Sequence, residues 1–402
     1  MLSRRPRLIA AAALVLGILV GAGGGIFADQ TYPDYVPVLA IGQPKGAIDQ
    51  AAVNQALHVI EARYYSSHLD YRKLSGGTVR GMVQALGDPY STYYDPQQFR
   101  SQQDNYAGRH TGVIGIYVSF QGDHPVISGL VPGSPAAASG LRTGDEILSI
   151  DGRDARGLSE QAASALIRGP IGTSVSMVVD RAGQSLTFNI QRANFSSPMV
   201  VSLLLGPVLY VRVYQFGDST QSQFDAQLKA NLGSASGVIL DLRDNPGGYI
   251  SAAAAMISRF VSSGEAFEVR DRGGHVERTY VSGDHPAGSI PLVVLVNGST
   301  ASSAEIVAGS LEAHHRAQLV GTKTFGKGSV QVDFPLEDGG DLHLTVQHWF
   351  LPDGRSIDKV GLQPEVPVDQ PSGQPEFDPV QPSLGYAGDA PLNRALELLA
   401  PR

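Results

Sequence analysis

Val293-Val294-Leu295-Val296-Asn297-Gly298-Ser299-Thr300-Ala301-Ser302-Ser303-Ala304-Glu305 is followed downstream by Gly321-Thr322-Lys323-Thr324-Phe325-Gly326-Lys327-Gly328-Ser329-Val330-Gln331. The first stretch reads as a buried apolar strand that breaks at Asn-Gly into a Ser-rich helix start. Ser302 and Glu305 have the Ser-x-x-Glu spacing of a capping box, worth about 1 kcal/mol to the helix. The second stretch reads as a strand end leading into a lysine flanked by glycines, with Ser329 to Phe334 alternating like a strand. Gly321-x-x-x-x-Gly326-Lys327 mimics the start of a P-loop. Gly328 stands where Ser or Thr should hold magnesium, and a strand follows where a helix should open, so a nucleotide site is excluded.

Working outward, 208–213, 237–242 and 292–296 read as buried strands, and 220–232 and 303–314 as helices. A further helix is expected near Gly247, and 342–350 and 365–368 read as closing strands. Apolar strands feeding helices imply a sheet built partly of parallel crossovers. Asp241-Leu242-Arg243-Asp244-Asn245-Pro246-Gly247-Gly248 is a strand-to-helix turn, for which Asn-Pro and Gly-Gly are ordinary breakers. The segment 369–388 is rich in Pro, Gly and Gln and reads as an exposed tail, and 391–399 as a short amphipathic helix.

Between 106 and 194 short strands are expected at 113–118, 126–130, 146–150, 175–180 and 185–190. Ser134-Pro135-Ala136, Gly140-Leu141, Gly144-Asp145 and Ile150-Asp151-Gly152 together resemble a PDZ domain. The resemblance implies a peptide groove with Gly112-Val113-Ile114-Gly115-Ile116 as the loop that receives a terminal carboxylate. Val113 departs from the usual glycine order, and a PDZ fold used only for packing stays open. Upstream, 48–64 and 77–86 carry helical periodicity, the second stopped by Gly87-Asp88-Pro89. By itself this pair reads as a helical cap or a dimerisation arm, so a homodimer is one possible assembly.

The Ser302 and Lys327 segments resemble the serine and lysine segments of the carboxyl-terminal processing, or tail-specific, serine protease family. The likeness extends from about 48 to 368 and includes Thr345–Ile357, with its Pro352-Asp353-Gly354 turn, and Gly361-Leu362-Gln363-Pro364-Glu365-Val366-Pro367-Val368. It implies Ser302 as nucleophile, Lys327 as general base and Gln331 as the group that orients the lysine. Ser303 and Ala304 stand where the family commonly has Ala and Ser, which leaves Ser303 as an alternative. The amides of Gly247, ahead of Gly248, and of Ser303 would form the oxyanion hole. A helix N-terminus favours a nucleophile there. An ordinary lysine with pKa near 10.4 must be lowered by roughly three units to serve as a base, mostly by burial.

The implied architecture is α/β and multi-domain. It comprises an N-terminal segment 1–28, a linker 29–47, a helical segment 48–105, a PDZ β-domain 106–194, a Ser/Lys protease core 195–368 with a partly parallel sheet, and 369–402. The implied activity is serine endopeptidase cleavage of proteins with accessible C-termini, guided by the PDZ domain. The rival is a non-catalytic PDZ-containing scaffold, or a tail-binding protein of the envelope.

The 402 residues suffice for several cores, and 42% hydrophobic with 17% charged content suits a globular chain. A net charge of -8 argues against nucleic acid as a partner. The absence of cysteine excludes disulfides, thiolate zinc sites and cysteine nucleophiles. No Gly-x-Ser-x-Gly elbow or His-Glu-x-x-His occurs. His314-His315 reads as a polar helix end, and neither a cofactor nor a metal is expected. Arg4, Arg5 and Arg7 precede an uncharged run from Leu8 to Phe27, long enough to span a bilayer core. That implies export to a bacterial-type cell envelope, as an uncleaved membrane anchor or a cleaved signal peptide.

Overall fold

The computed structural model describes residues 48–400, apart from 67, 108, 121–122, 197, 372–373 and 375. The expected anchor or signal and most of the linker lie outside these residues. Among the described residues no helix is long and apolar enough to cross a membrane.

The chain divides into two units. The described part of the first holds two helices, Gln50–Arg63 and Tyr71–Gln84. Asp49 and Asp70 cap their N-termini by accepting backbone N–H groups, which satisfies donors the first turn leaves free. The second helix starts six residues earlier than its apolar spacing suggested, because Asp70 provides the cap.

The second unit, Asp88–Asp333 with Glu337–Arg402, contains the PDZ-like region and the α/β region that follows it. Within the PDZ region the sheet runs Ile116–Ser119, Val126–Leu130, Glu146–Ile150, Ser174–Arg181 and Gln184–Gln191, with Ile116–Ser119 at one edge. Ile114, Ile127, Leu130, Ile147, Met177 and Ile190 form its core. The single strand expected at 113–118 is two strands, Arg109–Val113 and Ile116–Ser119, because Gly115 turns the chain at φ 82°. Ser134 presses on Gly115 so closely that a side chain there would collide with it.

The core sheet has six strands, in the order Val200–Leu205, Val208–Val213, Gly237–Asp241, Leu292–Val296, Gln318–Gly321 and Val366–Pro367. Its first pair is antiparallel and the other pairings are parallel. The three central strands are buried along their full length, as parallel strands covered on both faces require. Helices Thr220–Asn231, Ile250–Ile257 and Ser303–Ala313 cover one face. A second, antiparallel sheet is built from Glu265–Asp271, Val276–Tyr280, Ser329–Pro335, Asp341–Phe350 and Thr92–Tyr94.

The C-terminal segment departs from the expected exposed tail. Phe377, Leu392 and Ala395 are buried against Val208, Tyr210, Ile239, Val293 and Leu295 on the other face of the core sheet. The helix Ala390–Leu399 is capped by Asp389, whose carboxylate also pairs with buried Arg243 through two hydrogen bonds of 2.9 Å. The apolar stripe of this helix therefore completes the core, and residues 376–381 pack down with it, while Pro382, Ser383 and Gly385 to Ala387 stay exposed as expected. The same segment meets the PDZ fold, where Thr143 donates to Asp378 and Gln381 donates to the Leu141 carbonyl. Tyr117 of the PDZ edge strand stacks on Tyr214 of the core. A cavity of about 20 Å³, room for about one water, lies between them beside Arg212, Glu376 and Asp378.

Candidate active site

The site is assembled where parallel strands end, the usual position for ligands in such sheets. Leu292–Val296 delivers the chain to Ser302, the N-cap of the buried helix Ser303–Ala313. Ser302 has φ 55° and ψ -121°, a left-handed conformation that costs a non-glycine residue about 1–3 kcal/mol unless its surroundings hold it. Here they do. The Ser302 N–H donates to Glu305 Oε2 at 2.9 Å, the reciprocal half of the capping box. Gly247 packs so tightly that a side chain on it would lie 2.7 Å from Ser302 Cβ.

Glu305 is fully buried yet well served. Its Oε1 accepts from Thr324 Oγ1 at 2.5 Å and from the Gly326 N–H at 2.8 Å. Its Oε2 accepts from the Ser302 and Lys327 N–H groups, both at 2.9 Å. Burial pushes its carboxyl above the ordinary value, and these four donors oppose that push. One carboxylate thus fixes both the serine turn and the lysine turn. The sequence suggested Glu305 only as a capping partner, since nothing in the spacing of one helix tells that its carboxylate reaches residues 324–327.

Lys327 is half-buried, with Nζ 5.1 Å from the centre of the Tyr90 ring. Burial lowers its pKa, and the more distant charge of Asp88 works the other way. Among the described residues no carboxylate comes within ion-pair distance of Nζ. The flanking glycines serve close approach. Gly326 has φ 93°, and a side chain on it would meet the Gly361 backbone at 2.8 Å. Trp349 Nε1 donates to the Lys327 carbonyl at 3.0 Å and fixes the turn from the other side.

Ser302 and Lys327 are brought together through their backbones, but no hydrogen bond joins Ser302 Oγ to Lys327 Nζ. Gln331 does not reach the lysine. Its Nε2 donates to Ser329 Oγ at 2.8 Å and Thr345 Oγ1 at 3.0 Å. Ser303 is fully buried and its Oγ donates to the Gly248 carbonyl at 2.7 Å, whereas Ser302 is partly open to solvent. The Gly247 N–H donates to Asn245 Oδ1 at 2.8 Å. Among the described residues the N–H groups of Gly248 and Ser303 have no acceptor.

Arg243 holds this loop from below through Asp241 and Asp389, and Tyr210 donates to Asp241. The two arginines Arg243 and Arg212 keep the Asp241 carboxyl down at about 2 despite its burial. In the PDZ loop Ile114 is core, and the carbonyls of Gly112, Ile114 and Gly115 accept from Gly169, Ala136 and Val131. His314 caps its helix, and His314 Nε2 lies 2.7 Å from the Glu265 carbonyl, in keeping with a helix end.

A strained serine at a helix start and a half-buried lysine, tied to one carboxylate in a chain with a PDZ fold, fit a serine-type peptidase. Peptidase family S41 matches residues 207–368, a PDZ domain 126–181, and the N-terminal domain of the activating protease CtpB 41–98. The carboxy-terminal-processing protease of Bartonella bacilliformis is 34% identical over 75% of this chain and 71% of its own length. Carboxy-terminal processing protease CtpB of Bacillus subtilis is 30% identical over 90% of this chain and 78% of its own. The solved photosystem II D1 C-terminal processing protease is 27% identical, with a TM-score of 0.56 over 78% of this chain and 86% of that one. The chain belongs to the carboxy-terminal processing protease family of S41 peptidases.

Proposed function

We propose that this chain is an exported endopeptidase that cuts proteins near accessible C-terminal tails, with Ser302 as nucleophile and Lys327 as general base. The observation that supports it most is the Glu305 carboxylate, shared between the Ser302 and Lys327 amides. Ser302 Oγ attacks the peptide carbonyl while neutral Lys327 takes its proton. Lys327 then returns the proton to the leaving amine, and a water releases the acyl group. For this the two side chains close a contact that is absent from the arrangement described, as commonly happens when a substrate binds. The developing oxyanion takes the N–H of Ser303 and, from the glycine loop, that of Gly248. Gly247 was the expected donor, but its N–H is engaged by Asn245, and its role becomes close packing on Ser302. Gln331 would orient Lys327 through its remaining carbonyl oxygen.

Substrate tails would add to the Ile116–Ser119 edge, beside the helix Glu160–Ile167, with the amides of the 112–116 loop receiving the carboxylate. Export rests on the basic and apolar run of residues 4–27. Cleavage of envelope proteins, read by sequencing new C-termini, tests the assignment. Ser302→Ala should abolish it, with Ser303→Ala retaining activity. Loss only in Ser303→Ala would move the nucleophile by one residue, and full activity in both would remove the mechanism.

A further inference from the structure

Asp333 lies two residues beyond Gln331 on the strand Ser329–Pro335, and Asp341 and His343 lie two apart on the strand paired with it, Asp341–Phe350. Alternation puts residues two apart on one face of a sheet. One ligand atom from each of Asp333, Asp341 and His343 falls within 4.8 Å of the other two. Asp333 Oδ1 is 2.5 Å from His343 Nδ1. Asp341 is fully buried and neither of its carboxylate oxygens accepts a hydrogen bond; the group facing it is the Asp333 carboxylate, so burial and that neighbouring charge both push its carboxyl up. A buried carboxylate without donors is costly, and Glu305 on the same chain has four.

We propose that Asp333, Asp341 and His343 bind one divalent transition-metal ion of the zinc class. Two carboxylates and an imidazole are hard and borderline ligands that suit zinc. Two negative charges set against a neutral imidazole are balanced by a dication. Zinc holds O and N ligands at about 2.0–2.1 Å, which puts tetrahedral neighbours about 3.3 Å apart. Closing on the ion therefore moves Asp333 and His343 apart by less than 1 Å, within rotamer adjustment. Asp333 is exposed and His343 partly so, which leaves an entry path and room for a water as fourth ligand. On the same face, the Gln331–Thr345 hydrogen bond is the next row along these strands. The ion would clamp the hairpin that follows Lys327. No sequence motif announces the site, because its ligands meet only when the strands pair.

The full chain, stripped with a chelator and dialysed, is titrated with zinc chloride by calorimetry at neutral pH. The expected result is one equivalent bound with micromolar or tighter affinity, weakened at least tenfold in Asp341→Asn and His343→Ala and unchanged in His315→Ala. Cobalt(II) added to the unmutated protein should give the intense visible band of a four-coordinate ion, a readout independent of how the variants fold. Absence of saturable binding, binding unchanged in both ligand variants, or a weak six-coordinate cobalt spectrum would each overturn the proposal.

Discussion

Two buried carboxylates on one chain are treated in opposite ways. Glu305 collects four hydrogen bonds, from three backbone N–H groups on two turns and a threonine hydroxyl, whereas neither oxygen of Asp341 accepts one. The first is an internal anchor whose donors were all supplied by folding. The second faces another carboxylate, that of Asp333, and folding brought it no donor. A satisfied buried charge marks where the structure is fixed, and an unsatisfied one is where the proposed ion would act.

The largest effect should come from the chemistry anchored on the Glu305 side. Lys327→Arg should lower kcat/KM at least about 1000-fold, because a guanidinium cannot give up its proton at a working pH. Wild-type turnover in that variant would end the dyad assignment.

Glu305→Gln probes the anchor itself. Its amide NH2 would face two of the four donors, so we expect a loss of about 2–4 kcal/mol in stability and about 100-fold in kcat/KM. Chemical denaturation and peptide assays measure the two, and a purely structural carboxylate would lose the first without the second.

A smaller signature sharpens the same side. Burial lowers the pKa of Lys327, and in the proposed mechanism the neutral amine is the active form. The pH profile of kcat/KM should therefore rise with pH, through an apparent value below that of an ordinary lysine. A limb rising only where free lysine titrates would remove the buried base.

Asp341→Asn should give the smallest change. In metal-free protein the new amide can donate to Asp333, so the unfolding free energy from chemical denaturation should stay within about 1 kcal/mol of wild type or rise. A loss comparable to that of Glu305→Gln would erase the difference between the two carboxylates.

Much of the fold was legible because apolar strands such as Gly237–Asp241 and Leu292–Val296 have few other uses, and Gly-flanked turns mark where the chain must bend. The strands Glu265–Asp271 and Val276–Tyr280 were not, since they mix charges such as Arg270 and Glu268 with apolar residues and depend on pairing with each other and, for the first, with Asp341–Phe350. Residues 369–388 look like solvent-loving chain, yet Phe377 is pinned by Asp389, which accepts its N–H, a contact no local pattern encodes. At the site, the turns carrying Ser302 and Lys327 could be read, but their shared tie to Glu305 joins segments separated in sequence. The donor choice between Gly247 and Gly248 depends on where Asn245 points.

The pairing of Arg243 with Asp389 has a consequence for the order in which the protein becomes complete. Arg243 sits in the glycine loop that packs on Ser302, but one of the two carboxylates it hydrogen-bonds is 146 positions later in the chain. A ribosome that has made the serine, the lysine and both sheets still holds a chain in which this arginine is half-paired. The back of the core sheet is also uncovered until the Ala390–Leu399 helix arrives. The glycine loop is thus finished by material synthesised after Ser302 and Lys327, so truncated chains carry both residues without the support that sets the loop.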